Sequence, residues 1–138
     1  MKKLAFSLFT ATLFLLFACG KDDNGHSERF NYLTTPVWES DSLLVNGQDA
    51  GGEGQMLADF EGDAKFNTDG TGYFGSYTGT WAFAQNETQL LISSPDLGGQ
   101  LTTNIVLLNA TDLKVTTIFP NFANPEEPYH IRMTFKAK

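Results

Sequence analysis

Residues 129–136 read YHIRMTFK, and their apolar and polar side chains alternate without a break. In an extended strand, such alternation places the odd positions against a core and the even positions in water. Residues 113–119 follow the same rule less strictly, and both segments are rich in the aromatic and β-branched residues that strands favour. No stretch after residue 36 shows a convincing helical period, so we predict an all-β domain.

Turn residues recur at short intervals along the chain and divide it into strands. Asn46-Gly47 and Asp69-Gly70 are strong turn dipeptides, and further polar or Pro-containing breaks follow. Short connections join antiparallel neighbours, and closing a sheet removes its exposed edges. We therefore predict an eight-stranded antiparallel up-and-down barrel. The predicted strands are residues 37–45, 62–68, 71–76, 79–84, 88–94, 101–109, 112–119 and 128–137.

Aromatic and glycine motifs run through the predicted barrel. Trp38 stands in the first strand, FNTDGTGY covers residues 66–73, and Gly79-Thr80-Trp81 follows. Together with the last strand, this set resembles the bacterial lipoproteins with a lipocalin-like domain. The resemblance implies a lipocalin-like β-barrel domain over residues 36–138.

The N-terminal segment has the form of a secretory signal. Two lysines precede an apolar run over residues 4–17, and Cys19, the only cysteine, follows closely. LFAC at residues 16–19 resembles the lipobox of bacterial lipoproteins, which implies a signal peptide over residues 1–18 and a lipidated Cys19. The alternative, a transmembrane anchor, needs roughly 20 apolar residues. The run has only 14.

The segment after Cys19 is polar. Residues 20–35 contain few apolar side chains, so we interpret residues 19–35 as a lipidated, flexible tether. Lys21-Asp22-Asp23 resembles a surface-export signal of lipoproteins from one group of Gram-negative bacteria. The resemblance implies a lipid-anchored protein of the bacterial outer membrane that is exposed on the cell surface.

Acidic residues outnumber basic ones by a wide margin. The chain has 16 Asp and Glu against nine Lys and Arg, and its net charge is −7. Residues 1–18 hold two of the basic residues and none of the acids, so the processed chain would carry −9. Such a charge disfavours nucleic acid and anionic lipid headgroups as partners. We therefore expect membrane attachment through acyl chains on Cys19 alone.

Motifs for catalysis are scarce. The sequence has no G-x-S-x-G motif, and its two histidines, His26 and His130, stand in the tether and on the polar face of the last strand. No histidine pair has the spacing of metal ligands. Residues 59–63 carry acids at alternating positions, but their glycine is misplaced for a calcium loop, and we interpret them as a solvated loop. We predict no enzyme activity, no cofactor and no metal site.

Successive loops of a meander alternate between the two ends of the barrel. Tight turns share one end, where we expect Trp38 to close the barrel with the stem of Lys136 across its ring. Longer loops share the other end and hold several acids but no Lys or Arg, which favours a neutral or cationic partner there. The tight turns are residues 69–70, 85–87 and 109–112, and the loops of the other end are 46–61, 77–78, 95–100 and 120–127.

Aromatic residues and one methionine are the candidate lining of a pocket. We predict that the protein binds a small hydrophobic or amphipathic ligand at the open end of the barrel. The alternative is a structural or interaction lipoprotein with a filled core, which meets another envelope protein through its loops and Phe122. An eight-stranded barrel is wide enough for either arrangement. The predicted ligand-binding residues are Tyr73, Trp81, Phe83, Phe122, Tyr129 and Met133.

Replacing Cys19 with alanine tests the predicted anchor. The Cys19→Ala chain lacks the thiol that would receive the lipid, so we expect it to remain unprocessed and without lipid. Mass spectrometry of the chain from membrane and soluble fractions measures both properties. A Cys19→Ala chain that still matures at the same bond and stays membrane-bound would contradict the assignment.

Overall fold

Extended segments joined by turns account for most of the folded chain. The structure, a computed structural model, describes residues 25–138. Within these residues it contains one α-helix, α1 (Glu28–Thr34), two short 3-10 helices (Ala58–Phe60 and Pro95–Leu97) and nine strands. The strands are β1 (Trp38–Val45), β2 (Gln48–Asp49), β3 (Asp63–Phe66), β4 (Thr71–Phe74), β5 (Tyr77–Ala84), β6 (Gln89–Ser94), β7 (Gly99–Leu108), β8 (Asp112–Phe119) and β9 (Tyr129–Ala137).

The strands form one antiparallel sheet that closes on itself. Each strand from β3 to β8 pairs with the next, and β1 pairs with both β3 and β9. The predicted eight-stranded antiparallel barrel is therefore confirmed. The short β2 is an addition: Asn46 and Gly47 have positive φ angles of 51° and 80°, and this turn folds residues 48–49 back onto β1.

Side-chain alternation divides the barrel wall into an inner and an outer face. On β9, Ile131, Met133 and Phe135 are buried, whereas the alternate residues His130, Arg132 and Lys136 are exposed. The same alternation on the other strands fills the interior with apolar side chains. Burial of this core offsets the conformational entropy that the chain loses on folding.

The two ends of the barrel differ in construction. Helix α1 and the turns at residues 67–70, 85–88 and 109–111 lie at one end, here named the closed end. The long connections 46–62 and 120–128 lie at the other end, here named the mouth. The expected separation of tight turns from long loops is therefore present.

The predicted flexible tether needs a correction, because residues 28–34 form α1. Ser27 caps this helix by accepting a hydrogen bond from the Phe30 amide at 3.0 Å, and the Ser27 hydroxyl donates to Glu87 Oε2 at 2.7 Å. Leu33, near the end of the helix, is fully buried in the core. A seven-residue helix is unstable alone, so contact with the barrel stabilises it. The polar composition of the segment gave no sign of this packing.

Hydrogen bonds from two basic side chains fasten α1 to the barrel. The Arg29 guanidinium donates to Glu87 O through Nε at 3.1 Å and through Nη2 at 3.0 Å. Lys65 Nζ donates to the carbonyl oxygens of Thr34, Thr35 and Pro36 at 2.6, 3.0 and 3.1 Å. These carbonyls lie at the C-terminal end of the helix, where acceptors lack intrahelical donors and a cation is favoured.

Trp38 lies inside the closed end, as expected, but Lys136 does not cover it. The Trp38 indole N–H donates to Leu33 O at 3.0 Å, and the ring has no exposed surface. Trp38 pairs with Ala137 on the inner face, whereas the neighbouring Lys136 points outward and binds Asp112. The Lys136 ammonium holds the pKa of Asp112 below its usual value. The expected stacking is wrong because adjacent strand residues face opposite sides.

Residues 1–24, which include Cys19 and the predicted signal peptide, lie outside the described residues. Within residues 25–138, no helix combines the length and the apolar character needed to cross a membrane.

Truncating Leu33 tests whether α1 belongs to the folded domain. Leu33→Ala leaves a void beneath the helix and should lower the free energy of unfolding by about 2–5 kcal/mol. Val106, on β7, is 60% exposed, so Val106→Ala is the control and should change that free energy by less than about 0.5 kcal/mol. Urea unfolding followed by tryptophan fluorescence measures both. If Leu33→Ala lowers the free energy of unfolding no more than the control does, α1 does not unfold together with the barrel and the prediction is wrong.

Candidate functional site

A cavity of about 280 Å³ opens at the mouth of the barrel and is here named the mouth cavity. Inward side chains of β5, β7, β8 and β9 form its walls, and residues of the connection 46–62 cover part of it. The lining is mostly apolar. The lining residues are Met56, Leu57, Phe60, Tyr77, Asp96, Leu97, Leu101, Thr117, Phe119, Ile131 and Met133.

Alternation along the strands positions the apolar wall. Ile131 and Met133 lie two residues apart on the inner face of β9, and Leu101 lies on the inner face of β7. Phe119, the last residue of β8, pairs with Tyr129 and completes the wall. The strand ends nearest the mouth therefore line the cavity, above the filled part of the core.

The connection 46–62 folds over the mouth and forms a roof. Ala50, Leu57 and Phe60 of this connection are buried. Backbone hydrogen bonds hold it in place, because Ala50 N donates to Leu43 O at 2.8 Å and Leu57 N donates to Ala50 O at 2.9 Å. The inward fold of this connection therefore narrows the opening of the barrel at the mouth.

The turn between β4 and β5 fastens one side of the roof. Ser76 N donates to Asp59 O at 2.8 Å, and Gly75 has a positive φ of 60°. A Cβ at Gly75 would lie 2.1 Å from Asp59 O, so glycine alone permits this approach. The approach also brings the rings of Phe60 and Tyr77 together, with centroids 4.9 Å apart.

Two carboxylates and a phenol supply most of the polarity at the mouth cavity. Asp96 belongs to the lining, and the Tyr77 hydroxyl donates to Asp59 Oδ2 at 3.4 Å. Partial burial, and then the charge of Asp59, raise the pKa of Tyr77 above its ordinary value of 10.0, and Asp96 adds to the shift. Tyr77 therefore remains a neutral hydroxyl at neutral pH and keeps its hydrogen bond to Asp59.

Three of the six predicted ligand-binding residues lie at the mouth. Met133 lines the cavity. Tyr129 lies on the inner face of β9 and packs against the core, but outside the lining. Phe122, on the connection 120–128, is 85% exposed, and its ring meets that of Phe119 edge to face with centroids 6.5 Å apart.

The other three predicted residues lie away from the mouth cavity. Tyr73 is on the outer face of β4 and is 37% exposed, while its neighbour Phe74 is buried. Trp81 and Phe83 point inward near the closed end, where their rings stand edge to face with centroids 5.4 Å apart. The Trp81 indole N–H donates to Asn67 O at 2.9 Å. These two rings fill the core, so the structure does not group them with Met133.

Sequence reasoning missed most of the lining. Leu101 and Ile131 could have been predicted from the sequence, because both occupy inward positions at the mouth ends of predicted strands. Tyr77 stands two residues before the predicted start of its strand at residue 79. Leu57 and Phe60 gave no signal, since an irregular loop carries no period that shows which side chains fold inward.

A larger hollow of about 420 Å³ lies on the outer face of the sheet. Leu44, Ile118 and Arg132 are among the residues that border it, and they sit on outward positions of β1, β8 and β9. This hollow is an open groove between exposed side chains. The mouth cavity is the better candidate, because apolar side chains converge on it from inside the barrel.

Titratable side chains are dispersed in the described structure. No group of three His, Cys, Asp or Glu within residues 25–138 could hold a metal ion. His26 stacks on Phe30 beside α1, with ring centroids 4.0 Å apart, whereas His130 is exposed on the outer face of β9. The site that remains is apolar with an acidic border, which suits the reversible binding of an apolar or amphipathic molecule.

Comparison with protein-family models and with curated proteins yields no match. The resemblance to lipocalin-like lipoproteins therefore rests on sequence motifs, and the barrel rests on the structure.

Titration of Tyr77 tests the geometry of the mouth. Asp59→Asn removes a charge that raises the pKa of Tyr77, so we expect that pKa to fall towards 10.0 while partial burial keeps it above. Phenolate absorbance measures it, as the difference between each protein and its Tyr77→Phe counterpart. Glu126→Gln, on the connection 120–128, is the control and should leave the difference titration unchanged.

The raised pKa also has a consequence for stability. Folded Tyr77 binds its proton more tightly than unfolded Tyr77, so its contribution to stability is fully present below about pH 10 and is lost as pH rises above that value. Tyr77→Phe removes this contribution, and the variant should lose less stability than the parent between neutral and strongly alkaline pH. Equal losses of stability in Tyr77→Phe and the parent would contradict the raised pKa of Tyr77.

Proposed function

We propose that this protein is a cell-envelope lipoprotein whose lipocalin-like barrel binds a small hydrophobic or amphipathic ligand at its mouth. The single observation that carries the proposal is the mouth cavity. It is a mostly apolar space of about 280 Å³ that opens to solvent at the end of the closed barrel where the long connections lie. Small-molecule sites are concave, mostly apolar and furnished with a few polar groups, and the mouth cavity has each of these properties.

The size of the cavity limits the ligand. The cavity measures about 280 Å³ and is open to solvent on one side. An unbranched chain of about eight carbons with a small polar end fits this volume. A larger lipid would need the roof formed by residues 46–62 to move, and the buried Leu57 and Phe60 oppose such a movement.

The placement of the anchor supports binding at the mouth. Cys19 stands eight residues before Ser27, the cap of α1 at the closed end, and eight residues span at most about 30 Å. A lipid on Cys19 would therefore hold the closed end near the outer membrane and leave the mouth free to face away from it. The proposed ligand then reaches the cavity from the surrounding medium, which agrees with a position on the cell surface.

We propose binding without catalysis. General acid–base and nucleophilic mechanisms need a base, an orienting group and a pocket together. His26 lies beside α1 and His130 lies on the outer face of β9, so the two histidines and the mouth cavity occupy three different places. The proposal includes no cofactor.

A second candidate function is an interaction with another envelope protein. Its support is the exposure of Phe122 at 85% and of Ile118 at 64%, both beside the mouth. Exposed apolar side chains that lie close together often mark interaction surfaces. In this alternative the mouth cavity has no small ligand, and Phe122 contacts the partner directly.

Binding of octanol tests the first function. Octanol has a neutral head and about the volume of the cavity, so isothermal titration calorimetry should detect one site per chain. Leu101→Trp places a large ring in the wall of the cavity and should weaken binding at least tenfold, equal to about 1.4 kcal/mol. Val106→Trp adds the same ring on an exposed position of β7 and should leave the affinity unchanged.

The outcomes separate the two functions. Equal affinity of the parent and Leu101→Trp would place octanol outside the cavity and contradict the proposed site. Absence of binding by the parent, together with a partner that is lost from cell-envelope preparations in Phe122→Ser but retained in Val106→Ser, would favour the interaction function.

A further inference from the structure

The charged side chains at the mouth cavity are all acidic. Asp96 is the single charged residue of the described lining, and its carboxylate makes no hydrogen bond or ion pair with another described residue. Asp59 borders the same wall, where it accepts the hydrogen bond from Tyr77. Tyr77 and Asp96 line the same cavity, and the charges of Asp59 and Asp96 both raise the pKa of Tyr77.

The basic side chains of the described structure lie elsewhere. Arg29 and Lys65 bind backbone carbonyls around α1, and Lys136 and Lys138 form ion pairs with Asp112 and Asp63. Lys114 and Arg132 sit on outward positions of β8 and β9. Within residues 25–138, no Lys or Arg therefore neutralises the carboxylates at the mouth cavity.

We infer that the mouth cavity is built for a cationic amphiphile, with an ammonium held between Asp96 and the Tyr77–Asp59 pair and an alkyl or aryl tail against Leu101, Ile131 and Met133. The inference rests on the proposed ligand-binding function and names its ligand class. A carboxylate or phosphate head at the same place would face two like charges, with no basic side chain of the described residues to offset them.

The hydrogen-bonding capacity of Tyr77 completes the proposed head-group site. Its hydroxyl already donates to Asp59, so its oxygen lone pairs are free to accept from an ammonium N–H. An ammonium has three donors, and Asp96 and the Tyr77 oxygen take two of them. The third donor stays in water at the border of the cavity. The tail replaces water along the apolar wall, which is favourable by the hydrophobic effect.

A matched set of octyl compounds tests this inference. Octylamine, octanol and octanoate share one tail and differ in head charge, and calorimetry at low and high salt gives the three affinities. At low salt we expect octylamine to bind about threefold to tenfold more tightly than octanol, and octanoate to bind more weakly than octanol. Raising the salt to about 1 M shortens the Debye length to about 3 Å and should bring the three affinities together.

Two carboxylate variants assign the preference to named residues. Asp96→Asn and Asp59→Asn should each reduce the ratio of octylamine to octanol affinity by at least about twofold. In the double variant the two affinities should be equal. Glu126→Gln removes an equal charge from the connection 120–128, outside the lining, and is the control. It should leave the ratio unchanged, and octanol affinity should be similar in the parent and in all four variants.

The failure of this inference is distinguishable from the failure of the proposed function. If octanol and octylamine bind equally, or octanoate binds best, and Leu101→Trp weakens every probe, the cavity binds ligands and the cationic class is overturned. If Glu126→Gln reduces the ratio as much as Asp96→Asn does, the preference belongs to the net charge, and the assignment to Asp96 is overturned. If no octyl compound binds, or Leu101→Trp binds all of them unchanged, both proposals are overturned.

Discussion

The antiparallel pairing of β1 with β9 is the contact on which the rest of the structure depends. It joins the first long strand to the last along most of their length, and without it both strands would present unpaired backbone groups to water. The pairing places Leu43 beside Met133, so closure brings the two ends of the sheet together around one core. A closed wall is also the condition for an interior cavity, because an open sheet would leave the same side chains in solvent.

The two ends of this barrel are covered by different means. At the closed end, α1 contributes the buried Leu33, and Arg29 and Lys65 bond it to the backbone. At the mouth, an irregular connection folds inward on Leu57 and Phe60, and the acids around it have no basic partner. Basic groups thus serve to hold the closed end together, whereas the mouth keeps an uncompensated negative charge.

The distribution of ring sizes along the interior decides where space remains. Phe66 packs against Phe74 and Trp81 with centroids 5.1 and 5.8 Å apart, and Phe83 continues this cluster towards the closed end. Aromatic side chains are large, so a stack of them fills a barrel of eight strands completely. At the mouth, Leu101, Ile131 and Met133 replace such a stack on the inner wall, and the rings of Phe60, Tyr77 and Phe119 stand around the cavity rather than across it.

The sequence by itself determined the strands, their antiparallel order and the face on which Met133 stands, because alternation and turn residues act locally. It also determined the acidic character of the mouth loops. The tertiary structure alone decided the rest. Helix α1 has too few residues to form without the barrel, so no local sequence pattern predicts it. Trp81, Phe83 and Met133 all occupy inward positions of their strands. Only their positions along the barrel axis decide that the two rings belong to the core and that Met133 lines the cavity. Loop residues such as Leu57 acquire an inside and an outside only when the wall beneath them exists.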